Sequence, residues 1–339
     1  MTFHVVGLPS NKTSSYTSCA FTSLTANFIK MMKSLGHKVI HYGVGCDVEC
    51  DEDVVVSNPE PMDWSGRATY WSLYNSKIIS EITKRKNTKD FVCVICGILN
   101  QPLLQIPQVQ VVEFAIGYNF TFSPYRVFAS YAHMHKVWGT EGGYDPDGRW
   151  CDTVIPHYLN PDDFTPQFKK ADYYLYIGRL TQRKGLQIAI DTCKVLNTKL
   201  IIAGVGDYQP KADNVLYAGQ VKPEMRLKLY RNAIATFAPT QYVEPFNMTV
   251  IESQMCGTPV ITTDFGAFTE NVKQGVGGFR CRTFDDFVKA ATLVKDLDLE
   301  EIRNYAVETW GLNNIKHKYQ RYFDSLLDLW TTGWYTLHT

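Results

Sequence analysis

The run Tyr176-Ile177-Gly178-Arg179-Leu180-Thr181-Gln182-Arg183-Lys184-Gly185 reads as a strand, a glycine and then Arg179, Arg183 and Lys184 before a helix opens. Arginine offers a planar fork of donors and lysine a point charge, a combination suited to a pyrophosphate. Taken alone, the same run is also what a solvated strand-to-helix turn looks like. Further on, Ile201-Ile202-Ala203-Gly204-Val205-Gly206-Asp207 carries a Gly-x-Gly that lets backbone approach a ligand closely. The third glycine of the dinucleotide fingerprint is missing, so this piece is weak by itself.

A second constellation is Glu244-Pro245-Phe246-Asn247-Met248-Thr249-Val250-Ile251-Glu252, two glutamates with seven residues between them. The spacing alone carries little, because Glu52 with Glu60 and Glu300 with Glu308 share it. Context separates them: only Glu244 precedes a strand-to-loop-to-helix transition, with Asn247 placed as an N-cap. Such a transition points backbone N–H groups at an anion, while Glu252, about two turns in, reaches a sugar hydroxyl. Gly257-Thr258-Pro259-Val260 then stops the helix and feeds the next strand.

Elements that position these residues recur along the whole chain. Short apolar runs alternate with helical patterns, which argues for βα units and parallel sheets. In the first half, strands are expected at 3–8, 38–42, 54–57, 91–98 and 109–114. Between the first two, Phe21, Leu24, Phe28, Met31 and Leu35 repeat at helical spacing before Gly36, and 70–86 forms a second helix. The second series has strands at 173–177, 199–203, 215–218, 233–238 and 258–262, with helices at 186–196, 223–231, 247–256 and 285–295. Two doubly wound, Rossmann-like domains follow, 1–156 and 157–312, facing one another across a deep cleft. An aromatic, amphipathic tail over 313–339 is expected to pack back on the first domain. Ligands of such sheets bind beyond the carboxyl ends of the strands.

Composition excludes several classes. With 339 residues, 45% hydrophobic and 20% charged, the chain is globular and long enough for two domains of ~150 residues each. Lys plus Arg and Asp plus Glu number 34 each, which removes the broad basic footprint of a nucleic-acid binder. No apolar run approaches the ~20 residues of a membrane span, and the N-terminus reads as a strand rather than a signal peptide. The nine cysteines form no regular framework. Cys93-Val94-Ile95-Cys96 has redox spacing but sits in an apolar run, so buried strand thiols are expected. Cys46 and Cys50 flank an acidic loop without a second ligand pair, and reduced thiols in a cytosolic protein are the expectation.

In order along the chain, the pieces strand-Gly-Arg-x(4)-Lys-Gly, Ala-Gly-x-Gly, Glu-x(7)-Glu and Gly-x-Pro-Val resemble the retaining glycosyltransferases of family 4, which have the GT-B fold. The segment Val154-Ile155-Pro156-His157-Tyr158-Leu159-Asn160 resembles that family's entry into its second domain. The resemblance runs over about Val154 to Val272. Glu113–Tyr118 and Arg126–Tyr131 are similar to segments of enzymes encoded by large algal viruses. The resemblance implies that Arg179 and Lys184 bind the donor diphosphate and that Glu244 binds hydroxyls of the transferred sugar. It further implies that Phe246, Asn247, Met248 and Thr249 set backbone on sugar and phosphate, that Glu252 holds the ribose, and that Val221 touches the base. One departure concerns 8–15, where Ser14 and Ser15 stand in a loop that in the family carries Gly-Gly. Another is Pro245, where the family often has a smaller or polar residue.

What this implies is transfer of a hexose with retention, from a nucleotide-diphosphate sugar to a glycan or other hydroxyl acceptor. GDP-mannose is the favoured donor and a UDP-hexose the next. The family implies no metal and no cofactor. Asp-x-Asp occurs at Asp51/Asp53, Asp145/Asp147 and Asp296/Asp298, each read as a solvated loop or helix face. Tyr118, Arg126, His133 and His135 are acceptor-side candidates, and His157 reads as a turn residue. A sugar-nucleotide epimerase and a non-catalytic sugar-nucleotide binder remain as alternatives. A cytoplasmic chain leaves the sequons at Asn11, Asn119 and Asn247 unmodified.

Overall fold

The computed structural model describes residues 1–61, 69–141, 147–207 and 212–336, and it divides into two compact α/β units. The first comprises Met1–Ala129, Met134–Tyr158 and the chain from Leu312 onward; the second comprises Ser130–His133 and Leu159–Gly311.

The first unit holds β1 (Thr2–Val6), β2 (Lys38–Gly43), β3 (Glu52–Val55), β4 (Asp90–Val94), β5 (Val109–Ile116), β6 (Tyr125–Phe128) and β7 (Thr153–Val154). Their order is β3-β2-β1-β4-β5-β6-β7, with every neighbouring pair parallel. The second unit repeats the plan with β8 (Tyr174–Ile177), β9 (Leu200–Ala203), β10 (Val215–Gly219), β11 (Thr236–Ala238), β12 (Val260–Thr263) and β13 (Gly278–Cys281). Its order is β10-β9-β8-β11-β12-β13, again all parallel. In both sheets the order reverses beside the first strand, which is the doubly wound plan. Central strands covered on both faces read as continuous apolar runs, and Phe91, Val92, Cys93 and Val94 are all fully buried.

Aromatic side chains carry the first core. Phe3 meets Phe91 at 5.7 Å and Phe323 at 4.7 Å between ring centroids, while Phe28 stacks on Phe114 at 4.5 Å. Phe323 comes from the helix Leu312–Thr336, whose Ile315, Tyr319, Phe323 and Leu326 form one buried stripe at helical spacing. In the second unit Tyr174, Leu186, Ile190, Leu200, Phe237 and Ile261 share one core between sheet and helices.

Three short strands, β6, β7 and β13, are absent from the sequence expectations. Conversely, the strand expected to continue to residue 98 ends at Val94. Cys96 turns left-handed at φ 90°, and a 3-10 segment Gly97–Gln105 follows. Cys93 and Cys96 are buried, and burial pushes the Cys96 thiol up to about 12. They are packing thiols, as their apolar setting implied. The described aspartates of the three pairs lie at exposed positions, as expected, and some of them also tie local structure. Asp51 accepts from Lys33 Nζ and Val39 N at 2.8 and 2.7 Å, Asp53 accepts from His41, and Asp298 caps the helix Leu299–Trp310. Asp145 lies outside the described residues.

Glu113 is a buried acid on β5, at a register shift in its pairing with β6. Its carboxylate accepts from Phe122 N (2.8 Å), Ser123 N (2.9 Å) and the Tyr118 hydroxyl (3.3 Å). Burial nonetheless outweighs those donors and nearby Arg126, raising the acid from 4.5 to about 7. A raised acid contributes stability that is complete below 4.5 and is lost as pH rises through about 7. Thermal stability should therefore decline between about pH 5 and pH 8 by a component that Glu113→Gln removes. Identical pH profiles for the two proteins would contradict this assignment.

Candidate functional site

The residues picked out around Arg179 and Glu244 gather at the C-terminal ends of β8 and β11 in the second unit. After β8 the chain runs through Gly178 and Arg179 into a 3-10 turn, Gln182–Lys184, and then the helix Leu186–Val195. Gly185 joins the two at φ 70°, and a Cβ there would lie 1.9 Å from the Pro239 carbonyl oxygen. Gly204 does the same for β9: a Cβ would fall 1.8 Å from Gly178 O. These glycines let three strand ends crowd together, so the cation-bearing turn is fixed by backbone contact.

Lys184 and Glu244 form an ion pair whose side chains are 22% and 8% exposed. The carboxylate oxygen that receives Lys184 also accepts from Thr240 Oγ1 at 3.1 Å and from Asn247 Nδ2 at 3.4 Å. The Tyr242 ring lies under Arg183, with the guanidinium carbon 3.9 Å from the centroid, and Lys184 Nζ is 5.1 Å from the same centroid. Arg183 is thus held against an aromatic face, a cation–π contact. Arg179 is exposed, and among the described residues no ion pair engages it.

Asn247 stands at the N-cap position of the helix Met248–Met255, but its side chain does not cap it. The residue is left-handed, at φ 74° and ψ 90°, and its amide turns back to Glu244. This corrects the capping expectation. The first-turn N–H groups are consequently not covered by a side-chain oxygen, the condition under which a helix start receives an anion. Phe246 is buried, with its carbonyl held by the Asn271 amide, while Met248 and Thr249 are half-buried.

Glu252 is buried on the same helix, facing Arg226 at 3.7 Å and hydrogen-bonded to Tyr230. Burial raises its acid above the usual carboxylate range, against the pull of Arg226 and Tyr230. Val221, half-buried, precedes the helix Pro223–Asn232 that carries Arg226 and Tyr230. Thr240, Tyr242, Arg226 and Tyr230 were not picked out from the sequence. Arg226 and Tyr230 are four apart on one helix, and that spacing was the available signal. A separate cleft of about 300 Å³ flanks the cation turn, lined by Thr181, Gln182, Gly185, Leu186, Ile188 and Gln241, and it contains none of the cations.

The acceptor-side candidates do not form a comparable group. Arg126 is 1% exposed, and its guanidinium donates to Asp152 (Nε at 2.9 Å, Nη2 at 2.5 Å), Glu141 (2.5 Å) and Thr121 (2.8 Å). Its donors are used inside the first unit, which removes it as a group that reaches a ligand. Tyr118 gives its hydroxyl to Glu113. His133 and His157 are buried, whereas His135 is exposed and packs on Trp138 at 5.5 Å between centroids. Among the described residues, no group of three or more His, Cys, Asp or Glu is arranged to hold a metal ion. No described helix is long and apolar enough to cross a membrane.

Comparison with known proteins places a family match in the same unit. Residues 162–309 match the family model described as glycosyl transferases group 1. An uncharacterized glycosyltransferase of Methanocaldococcus jannaschii is 34% identical over 118 residues, 31% of this chain and 30% of that protein. The phosphatidyl-myo-inositol mannosyltransferase of Mycobacterium leprae is 26% identical over 168 residues, 44% of this chain and 45% of that one. The matched segments thus span less than half the length of these curated relatives. Over the whole chain, the crystal structure of AviGT4, a glycosyltransferase involved in avilamycin A biosynthesis, has a TM-score of 0.75 at 21% identity. That likeness covers 96% of this chain and 98% of the other, and the shared fold is GT-B.

Proposed function

We propose that the chain is a group 1 glycosyltransferase that moves a hexose, with retention, from a nucleotide-diphosphate sugar to a hydroxyl acceptor. The observation that carries this reading is the Lys184–Glu244 pair, set beside exposed Arg179 and the uncapped helix start at Met248, within the segment that matches the family. Such a group offers cations to a leaving diphosphate and a fixed carboxylate to sugar hydroxyls within one small space.

In this reading Arg179 and Lys184 take up charge on the diphosphate as the glycosidic bond lengthens. Lys184 then serves two anions, and Glu244 stays fixed because Thr240 and Asn247 also hold it. Phe246, Asn247, Met248 and Thr249 present backbone to sugar and phosphate, Glu252 accepts from the ribose, and Val221 meets the base. The bond from C1 to the phosphate oxygen breaks as the bond to the acceptor oxygen forms on the same face. The acceptor proton passes to the departing phosphate oxygen. Cationic side chains do the electrostatic work, so no metal or cofactor is required. Tyr118 and His133 stay with the acceptor in this proposal, and Arg126 leaves it. GDP-mannose is the donor we favour, supported by the mannosyltransferase among the relatives, with a UDP-hexose next. The compartment we assign is the cytoplasm.

The test is incubation with a panel of nucleotide sugars and hydroxyl acceptors after exhaustive chelation, following nucleotide release and product anomer. We expect acceptor-dependent release, retained configuration and no loss on chelation. Conversion of free donor to a different sugar would indicate an epimerase, and donor binding without turnover a silent binder. Activity lost to chelator and restored by manganese would overturn the metal-free reading.

A further inference from the structure

We propose that Cys46 and Cys50 close into a reversible disulfide, making the loop between β2 and β3 an oxidation site of this protein. The nine thiols divide by environment: Cys93, Cys96, Cys193, Cys256 and Cys281 are buried, whereas Cys19, Cys46, Cys50 and Cys151 are partly exposed. Within that partly exposed set, Cys46 and Cys50 lie in one short loop, close enough that each thiol perturbs the other. Each also donates to a nearby carbonyl, Cys46 to Val48 O and Cys50 to Glu52 O, both at 3.4 Å.

Both ends of the loop are pinned, which confines the two cysteines to one anchored turn. On the Cys46 side, Thr13 N donates to Gly45 O at 2.9 Å and Asp47 N to Thr13 O at 2.8 Å. Cys46 N donates to Asp53 at 2.9 Å, and the other oxygen of Asp53 contacts His41 Nδ1 at 2.8 Å. His41 Nε2 in turn sits 2.9 Å from Thr13 Oγ1. On the Cys50 side, Asp51 is tied to Val39 through backbone and carboxylate at 2.8 and 2.7 Å, and to Lys33. Holding two thiols in one small loop raises their effective concentration, and the bond formed adds a short covalent ring to an anchored turn.

The oxidant class is a low-molecular-weight disulfide such as oxidised glutathione. The Cys50 thiolate, at the more exposed position, attacks one of its sulfurs, and one glutathione thiolate leaves. The Cys46 thiolate then attacks the Cys50 sulfur, and the second glutathione leaves. The two protein thiol protons end on the two glutathione thiols, and the protein loses two electrons. Burial and the neighbouring Asp53 push both thiols up, Cys46 to about 12, so the response is slow. For the same reason the dithiol gains little from ionisation, which favours the disulfide once it has formed.

The test equilibrates the full chain in glutathione buffers of increasing oxidised fraction, alkylates what remains free, and maps the peptides by mass. The expected result is loss of both alkylatable thiols at Cys46 and Cys50, with two hydrogens lost from their peptide, before Cys19 or Cys151 changes. Cys46→Ser should instead stop at a glutathione adduct on Cys50. Wild-type protein that keeps both thiols alkylatable, or accumulates the adduct without closing, would overturn the proposal.

Discussion

Lys184→Ala should lower kcat/KM by about 10²–10³-fold, the cost of deleting one charge-stabilising donor from a pre-set site. Two losses add. The leaving diphosphate loses a cation, and Glu244, 8% exposed, loses its counter-ion while keeping only the neutral donors Thr240 and Asn247. Breaking a buried pair from one side costs ~3–5 kcal/mol, and the 22% exposure of Lys184 places this one toward or below the low end. Steady-state kinetics together with thermal unfolding separate the two. A variant that is destabilised but turns over at the wild-type rate would make the pair a structural feature only.

Arg126→Ala should destabilise the first unit by ~3–5 kcal/mol, because it strands carboxylates that the guanidinium compensates. Asp152 has a fully buried side chain and would retain only the Trp138 indole N–H, at 2.7 Å, among its side-chain donors. Glu141, 32% exposed, would turn to water and contribute less. Nucleotide binding in the folded fraction should be unchanged, since no atom of this network belongs to the second unit. Denaturant unfolding and nucleotide titration of the same sample check both halves. A loss under ~1 kcal/mol would show that Asp152 is compensated by other means.

The contrast between these two sites shows what the sequence discloses. Around Lys184 and Glu244 the backbone itself is constrained: Gly185 and Gly204 cannot carry a Cβ, and the helix after Asn247 must begin where it does. Such constraints leave glycines, charges and helix starts in a recognisable order. Alternation of βα units likewise made both sheets visible. Arg126 was picked out only as an acceptor-side candidate, and its partners Glu141 and Asp152 are set by tertiary packing that no local pattern encodes. The same applies to Thr240 and Tyr242, whose importance lies in facing Glu244 and Arg183. The missed strands β6 and β13 each carry an arginine within four residues and β7 has only two residues, so no continuous apolar run marks them. Asn247 was given the usual task of its residue type at a helix start, and its left-handed backbone overrode that.

Arg179 isolates the proposed contact between this turn of cations and a nucleoside diphosphate. It is exposed and, among the described residues, outside any ion pair, so its removal leaves no buried partner stranded. Calorimetric titration of wild type and Arg179→Ala with a nucleoside diphosphate and with the parent nucleoside is the direct measurement. The diphosphate should lose ~1.5–3 kcal/mol of affinity while the nucleoside is nearly unaffected, the signature of a charge-assisted contact to phosphate. Equal losses for the two ligands, or none for the diphosphate, would place the phosphates elsewhere and contradict the account.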